Sequence, residues 1–273
     1  MKYLKGIILF IIVAVTVQSC KDAVINKDVN INEGWKFSKV EESKDLENHI
    51  HAIDFDDSTW ETVNLPHTAN IEPLTVNDQW QGICWYRKTI SIPKSSNDKK
   101  IFLELEAAMN YSKMFINGMK VKGHQGGYLP VIVDISKYVK VGDKNIIAIR
   151  LDNTDNLVTG PKPLKRLDFN MFGGLYRKAN LFTKEKIYIS NPILANKVAG
   201  GGIFITYPKV SKDESEVNVK THLINEYKNS KSIELVQTIS RNNNVVDEIT
   251  TSSIEIEAEK DIDLNQQFTI VDA

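Results

Sequence analysis

The sequence predicts an all-β chain built from two β-sandwiches in series, and three observations support this prediction. Isoleucine or leucine recurs at every second position over 101–105 and 147–151, and a period of two is typical of half-buried strands. Asn117 and Gly118 stand between two apolar runs, where this pair predicts a tight hairpin because both residues tolerate positive φ. From Gly34 onward, helical periodicity is almost absent.

The first residues, 1–19, are predicted to be a lipoprotein signal peptide. Lys2 and Lys5 precede an apolar run over 6–17, which is shorter than the ~20 residues of a membrane-spanning helix. Cys20 follows a small residue just past this run, as at a bacterial lipoprotein cleavage site. We therefore expect lipid on Cys20 to anchor an exported protein to a membrane, in the periplasm or at the cell surface. The alternative is an ordinary secretory signal with an incidental cysteine.

Composition excludes several classes of function. The chain has 34 basic and 35 acidic residues, a formal net charge of −1 and no basic stripe, so we expect no nucleic-acid partner. Beyond Cys20 the sequence has one cysteine, Cys84, which excludes an internal disulfide and a metal site built on cysteines. Beside Trp85, Cys84 is expected to be a small buried residue of the core.

The first sandwich is predicted over residues 33–183, after a polar tether at 20–32. A strand is expected from Trp85 through Ile92, where aromatic and β-branched residues begin an alternating run. Further strands are expected at 131–135 and, after two glycines, at 175–182.

The second sandwich is predicted over residues 184–273. Its strands are expected at 216–223, from 233, at 245–246, at 254–258 and at 268–271. Short strands at this spacing, separated by asparagine-rich turns, favour an immunoglobulin-like sandwich, which typically has ~100 residues.

Four motifs carry a family resemblance. They are WETVNLPHT at 60–68, WQGICWYRK at 80–88, HQGGYLP at 124–130 and DFNMFGGLYR at 168–177. In this order and spacing they resemble the amino-terminal sugar-binding domain of glycoside hydrolase family 2, the family of β-galactosidases, β-glucuronidases and β-mannosidases. The resemblance covers about residues 33–271.

The resemblance implies a jelly-roll-like, galactose-binding-type β-sandwich followed by an immunoglobulin-like one. In the family a (β/α)₈ barrel follows, and its two glutamates make the enzyme a retaining glycosidase. No barrel pattern follows the second sandwich here, so we expect the non-catalytic front portion of an exported enzyme, inactive alone. We expect the barrel to be missing through a frameshift, a split gene that encodes it separately or the end of a sequence assembly. The expected ligand is a β-glycoside, and no cofactor is expected beyond a sodium ion in the intact enzyme.

The resemblance also implies a substrate-binding role for Asp168. Asp168 stands nine residues before Arg177, at the position of an aspartate that contacts substrate hydroxyls and a sodium ion in the family's β-galactosidases. A carboxylate suits this role because it accepts hydrogen bonds and ligates hard cations. The alternative is a loop aspartate that caps a turn before Phe169.

Trp80 and His67 are the other two candidates for substrate binding. Trp80 is expected in a loop, where its ring could stack on a sugar, whereas Trp85 and Tyr86 are expected in the core. His67 either shapes the surface on which the barrel sits or, as we favour, braces its loop by hydrogen bonding.

Two other functions remain open from the sequence. One is a stand-alone carbohydrate-binding lipoprotein with Trp80 as its aromatic platform. The other is a structural remnant that covers an apolar surface near Pro66, His67 and Asp168 by binding another chain. No pair of carboxylates can be assigned a catalytic role from spacing alone.

Overall fold

The computed structural model confirms an all-β chain with a jelly-roll-like sandwich followed by an immunoglobulin-like one. It describes residues 29–41, 47–72, 74, 79–159 and 169–271. Cys20 and Asp168 lie outside the described residues. Within those residues the α-helices are two single turns, α1 (Glu47–Ile50) and α2 (Pro192–Ala195), and none is long and apolar enough to cross a membrane.

The first sandwich contains, in its described part, a six-stranded sheet facing a four-stranded one. The six-stranded sheet has the order β3-β2-β4-β9-β6-β7, and the four-stranded sheet has the order β1-β10-β5-β8. The strands are β1 (Val29–Asn30), β2 (Trp35–Val40), β3 (Glu61–Val63), β4 (Ile83–Ser91), β5 (Lys100–Leu105), β6 (Tyr111–Ile116), β7 (Met119–Gln125), β8 (Val131–Asp134), β9 (Lys144–Asp152) and β10 (Ala179–Lys184).

Strand β4 lies at the centre of this sandwich and is buried on both faces. Cys84 and Tyr86 point into the core between the two sheets, as predicted for Cys84. On the opposite face, Trp85 packs against Phe115 in a second apolar cluster. This face is closed by the segment 50–60, because the buried guanidinium of Arg87 donates to Asp57 at 2.8 Å and to the carbonyl of Ile50.

The predicted hairpin is confirmed at Asn117 and Gly118, which have φ values of 49° and 79°. The predicted strand at 175–182 is wrong at its start, because β10 begins only at Ala179. The backbone from 173 to 175 instead bonds to Met109 and His67. Val29–Asn30 pairs with β10, so the sheet includes the last part of the segment interpreted as a tether.

The second sandwich is built around one long central strand, β13. β11 and β12 pair with one edge of β13 and β16 pairs with the other, while β14 and β15 form a separate hairpin stacked on this sheet. The strands are β11 (Ile187–Ile189), β12 (Ile203–Lys209), β13 (Glu214–Asn225), β14 (Lys231–Arg241), β15 (Asn244–Ile256) and β16 (Lys260–Val271).

The prediction of separate strands at 245–246 and 254–258 is wrong, because residues 245–246 and 254–256 belong to one strand, β15, which ends at Ile256. The register between β14 and β15 shifts between Ile233 and Leu235, and Ser253 has a φ of 57°. A bulge of this kind accommodates extra residues without ending the strand. The polar stretch between the two apolar runs is therefore part of a ladder and not a turn.

The two sandwiches meet at Lys100. Its buried ammonium group lies between Asp134 of the first sandwich and Glu226 of the second, at 2.7 Å from the Glu226 carboxylate. The Tyr188 hydroxyl donates to the same carboxylate at 2.6 Å. The Phe102 ring contacts Tyr188 at 6.1 Å between ring centroids, so the junction combines charge and apolar contact.

Replacing Phe268 with alanine is expected to destabilise the second sandwich by about 3–5 kcal/mol, because it removes a fully buried ring and leaves a cavity. Phe268 is 1% exposed and packs with Val219 and Ile270. The free energy of unfolding in urea measures the loss. Phe169→Ala is the matched control, since Phe169 is 49% exposed and its loss should cost less than about 0.5 kcal/mol. Equal losses for the two variants would contradict this packing.

Candidate functional site

The sequence candidates His67 and Trp80 lie at one end of the first sandwich, which we call the loop end. We define the loop end as residues 67–74, 79–82, 126–130, 153–159 and 169–176 in their described parts. Backbone and side-chain hydrogen bonds join these segments to one another.

Gly174 is the most tightly enclosed residue of the loop end. A β-carbon on Gly174 would lie 2.6 Å from the Tyr86 hydroxyl oxygen and 2.8 Å from the His67 carbonyl oxygen. Its φ is +113°, which side chains rarely tolerate. On one side the His67 amide donates to the Leu175 carbonyl at 2.8 Å, and on the other Met109 and Gly174 exchange backbone hydrogen bonds. Glycine is therefore required where this segment passes between its neighbours.

His67 is half-buried and bonded to a buried tyrosine. Its Nδ1 lies 2.7 Å from the Tyr86 hydroxyl, which also receives the backbone N–H of Leu175. Burial lowers the pKa of His67 below its usual range, and the nearby Lys39 lowers it further against the opposing effect of Glu61. The neutral ring can accept a hydrogen bond from the Tyr86 hydroxyl at Nδ1, so these contacts brace the loop.

Gln79 holds the residues that directly follow Asp168. Its buried side chain donates to the carbonyl of Phe169 at 3.1 Å and accepts from the amide of Met171. Asn170 donates to the carbonyl of Leu74 at 2.9 Å. The segment 169–171 is thus fixed against the segment that precedes Trp80.

Asn153 fixes the other side of Trp80. Its carboxamide oxygen accepts from the Gly82 amide at 2.8 Å, and its nitrogen donates to the Trp80 carbonyl at 3.0 Å. Asn153 is buried and directly follows β9. The turn at 80–82 is therefore pinned to the end of a central strand.

The Trp80 ring is half-buried and has polar neighbours. The Lys39 ammonium lies 5.0 Å from the ring centroid and donates to Asn70 at 2.8 Å. Glu72 accepts from the Trp80 amide and from Asn70, and these hydrogen bonds hold the pKa of Glu72 below its usual range. A pocket of about 350 Å³ beside the ring is lined by Lys39, Glu41, Trp80, Gln81, Asp152 and Thr154, among others.

The described residues contain no group of three histidine, cysteine, aspartate or glutamate side chains placed to hold a metal ion. Asp168, the residue expected to ligate sodium in an intact enzyme, lies outside the described residues. Arg177, at the end of the same motif, is exposed and lies over the Tyr176 ring at 5.6 Å. The role assigned to Asp168 stays a prediction.

Gln79 and Asn153 were missed by the sequence analysis. Gln79 bonds to a residue 90 positions away and Asn153 to one 71 positions away, so local spacing carries no signal for either. For Asn153, the one signal in the sequence was its position just after the strand predicted at 145–151, where a loop is expected.

Comparison with known proteins agrees with the motifs. Residues 20–185 match the model of the glycosyl hydrolases family 2 sugar binding domain. A β-glucuronidase from Formosa agariphila is 30% identical over 231 residues, which are 80% of this chain and 23% of that protein. A β-galactosidase from Thermoanaerobacter pseudethanolicus is 30% identical over 212 residues, which are 74% of this chain and 27% of that protein.

A solved structure shows the same architecture. The crystal structure of a Bacteroides uniformis β-glucuronidase superposes with a TM-score of 0.79 at 26% identity, over 90% of this chain and 28% of that one. The chain thus spans about a quarter of the length of these relatives.

A jelly-roll-like sandwich with a pinned loop end, followed by an immunoglobulin-like sandwich, is the architecture that this chain shares with the front part of a glycosidase structure. The family match and the identity to the relatives identify the family. The chain belongs to glycoside hydrolase family 2 and contains its sugar-binding domain.

Acidification is expected to destabilise the protein partly through His67. Because burial lowers the pKa of His67 in the folded state, the imidazole is protonated at a higher pH in the unfolded chain than in the folded protein. The free energy of unfolding therefore falls as the pH drops below about 6.5. The fall in melting temperature from about pH 7.5 to about pH 5 should therefore be smaller in His67→Gln than in the parent protein. His49→Gln, at an exposed histidine of the same sandwich, is the control for the exchange of histidine for glutamine. An identical pH dependence for His67→Gln would contradict the buried, neutral assignment.

Proposed function

We propose that this chain is the non-catalytic front portion of an exported family 2 glycoside hydrolase, an enzyme that cleaves O-glycosidic bonds in carbohydrates. In this role the first sandwich supports a catalytic barrel and supplies one edge of its substrate pocket. The relatives are β-glucuronidases and β-galactosidases, so the expected ligand is a β-glycoside.

The observation that carries this proposal is the apolar surface of the loop end. Seven large apolar side chains at the loop end are 49–97% exposed: Ile71, Leu74, Tyr128, Leu129, Leu157, Val158 and Phe169. They belong to segments that polar contacts hold together, such as Asn170 to the Leu74 carbonyl and Tyr176 to the Gly127 carbonyl. An apolar surface of this kind typically marks an interaction site, and here the partner is the barrel.

Asp168 is the residue that we propose to contact the substrate. It directly precedes Phe169, whose carbonyl is held by Gln79. A carboxylate leaving this rigid anchor can accept hydrogen bonds from sugar hydroxyls at the boundary between sandwich and barrel. A sodium ion in the intact enzyme would share the same oxygen ligands.

Export and lipid attachment are part of the proposal. The family match begins at residue 20, so the apolar segment 6–17 lies outside the matched domain. This position is the one expected of a leader peptide. Lipid on Cys20 would place the protein at a membrane surface. Cys20→Ser should abolish incorporation of labelled palmitate in a bacterial host, and retained label would contradict lipid attachment at this residue.

A stand-alone carbohydrate-binding lipoprotein is the second candidate, and the pocket beside Trp80 is the observation that favours it. The Lys39 ammonium over the ring argues against it, because a stacked sugar would have to displace this group. The DNA that follows the Ala273 codon separates the two candidates. An open frame with alternating strands and helices of a barrel supports the enzyme portion, and unrelated sequence supports the lipoprotein.

The purified chain is expected to show no turnover of 4-nitrophenyl β-D-glucuronide or β-D-galactoside. A retaining glycosidase needs two carboxyl groups ~5–5.5 Å apart across the scissile bond, and in this family both come from the barrel. Release of nitrophenol is the measurement, with an intact family 2 enzyme as the positive control. Release above the blank by the purified chain, scaling with its concentration, would overturn the assignment as a non-catalytic portion.

Asp168→Ala is expected to change the free energy of unfolding by less than about 0.5 kcal/mol, because a loop carboxylate offered to substrate contributes little to the fold. Asp57→Ala is the comparison, since it removes the partner of the buried Arg87 guanidinium and should cost about 3 kcal/mol. Urea unfolding measures both. A loss for Asp168→Ala close to that for Asp57→Ala would favour the turn-capping role instead.

A further inference from the structure

The end of the first sandwich opposite the loop end carries four exposed lysines. Strand β4 runs toward this end from Ile83, next to the loop end, and β9 runs back. Lys94 follows β4, Lys137 and Lys140 lie in the connection between β8 and β9, and Lys144 begins β9. We call these four lysines the basic end.

Backbone contacts bring the segments of the basic end together. The Gly142 amide donates to the Ile92 carbonyl at 2.7 Å, and a β-carbon on Gly142 would lie 2.9 Å from the Lys94 side chain. Asn145 fixes the same turn, because its side chain accepts from the Lys140 amide at 2.6 Å and donates to the Lys140 carbonyl at 2.9 Å. Lysines from two segments that are distant in the chain therefore share one surface.

The charge of the basic end is not offset by ion pairs within the part of the chain that the structure describes. Four carboxylates at the adjoining junction are paired with other lysines: Glu185 with Lys99, Asp134 and Glu226 with Lys100, and Asp98 with Lys186. Asp143 lies in the same turn as Lys144, and it accepts from the Lys144 amide at 2.7 Å. The basic end thus combines four lysines with one aspartate, although the net charge of the chain is −1.

An apolar side chain lies at the tip of the same turn. Val141 is 36% exposed and directly follows Lys140. Lysines around an exposed apolar side chain suit the headgroup region of a bilayer, where ammonium groups meet lipid phosphates and the apolar group enters the interface. A soluble polyanion would use the lysines and leave Val141 in water. This combination therefore favours a lipid surface as the partner.

The first strand shows that the chain enters the sandwich from the side of the basic end. Val29 of β1 pairs with Leu181 of β10 in antiparallel direction, and β10 ends with Lys184 opposite Lys100, soon after Lys94. β1 therefore runs from the basic end toward the loop end. At the rise of a strand, Val29 lies ~10 Å from the end of β10.

The predicted lipid on Cys20 can reach a bilayer that touches the basic end. Cys20 stands nine residues before Val29, and nine residues span at most ~30 Å. The loop end lies at the opposite end of β4, whose nine residues cover ~30 Å. A bilayer at the basic end would therefore leave the loop end well clear of the membrane.

The second sandwich leaves the basic end accessible. It is joined to the first through the four-stranded sheet, where Lys100 of β5 and Asp134 of β8 meet Glu226. Lys94 and Lys144 instead adjoin β4 and β9 of the six-stranded sheet. The four lysines are exposed with both sandwiches in place.

We propose that the basic end rests on the surface of a bilayer that contains anionic lipid, with the loop end facing away from the membrane. The proposal rests on lipid attachment at Cys20, which limits the distance to the bilayer but does not set the orientation. The lysines set it, because each ammonium group near an anionic surface adds attraction that falls off within a Debye length. In this orientation the loop end stays open to its partner and to substrate.

The test uses the chain that begins at Cys20, coupled through this thiol to a maleimide lipid in vesicles. Cys84 is 1% exposed and does not compete for the reagent. Acetylation read by mass spectrometry should be at least about fivefold slower at the basic end with phosphatidylglycerol in the vesicles than with phosphatidylcholine alone. About 1 M salt should remove this difference. The exposed Lys178, next to the loop end, is the internal reference and should keep its rate.

Two double variants with the same net charge make the test specific. Lys137→Gln with Lys140→Gln should abolish the slower acetylation of Lys94, because half of the lysines at the basic end are lost. Lys178→Gln with Lys212→Gln is the matched control and should leave it unchanged, since both of these lysines are exposed and lie outside the basic end. Circular dichroism should show both variants folded, because all four substitutions are at exposed side chains.

Three outcomes would overturn the proposal. The first is equal acetylation of the basic end in the two kinds of vesicle. The second is equal slowing at Lys178, which would mean that the protein has no preferred orientation. The third is stronger protection by soluble alginate than by vesicles of equal anionic charge, which would make an acidic polysaccharide the ligand. Chemical coupling keeps this test separate from the palmitate experiment, so a failure of lipid attachment in cells and a failure of the orientation are distinguishable.

Discussion

The loop end depends on the close passage of Gly174 between the Tyr86 hydroxyl and the backbone of His67. A β-carbon has no room there, and the φ of +113° is costly for any other residue. Because the amides of His67 and Ala69 bond to the carbonyls on either side of Gly174, this passage orients both segments at once. Gly174 thus connects the core strand β4, through Tyr86, with the loop of His67 and with its own segment, which belongs to the DFNMFGGLYR motif.

Polar side chains extend this constraint outward. Gln79 and Asn153 are buried, yet each uses both ends of its carboxamide on backbone groups of neighbouring segments. Buried amides with satisfied partners favour one arrangement over alternatives, because any shift leaves a polar group unpaired. The loop end therefore has a rigid polar frame beneath an apolar exterior, which is the combination that a docking surface with a defined orientation requires.

The sequence predicted the elements whose signals are local. The hairpin at Asn117 and the strands β5 and β13 required only neighbouring residues, and the structure confirms them. The expectation that the strand at 101–105 is half-buried is wrong, because Phe102 on its other face is also buried. The break between the two halves of β15 was predicted wrongly, because a bulge at Ser253 lets polar residues stay in the ladder. The family motifs located the loop end but could not show that Lys39 lies over Trp80, since that contact depends on how two segments fold together.

The Lys100 junction has a mechanical consequence. Residues 185 and 186 alone separate β10 of the first sandwich from β11 of the second, and the ammonium group spans the joint between carboxylates of both. A short connection braced by charge resists bending and twisting more than a flexible linker does. The two sandwiches are therefore expected to move as one unit. A force applied to one sandwich is then transmitted to the other across this junction.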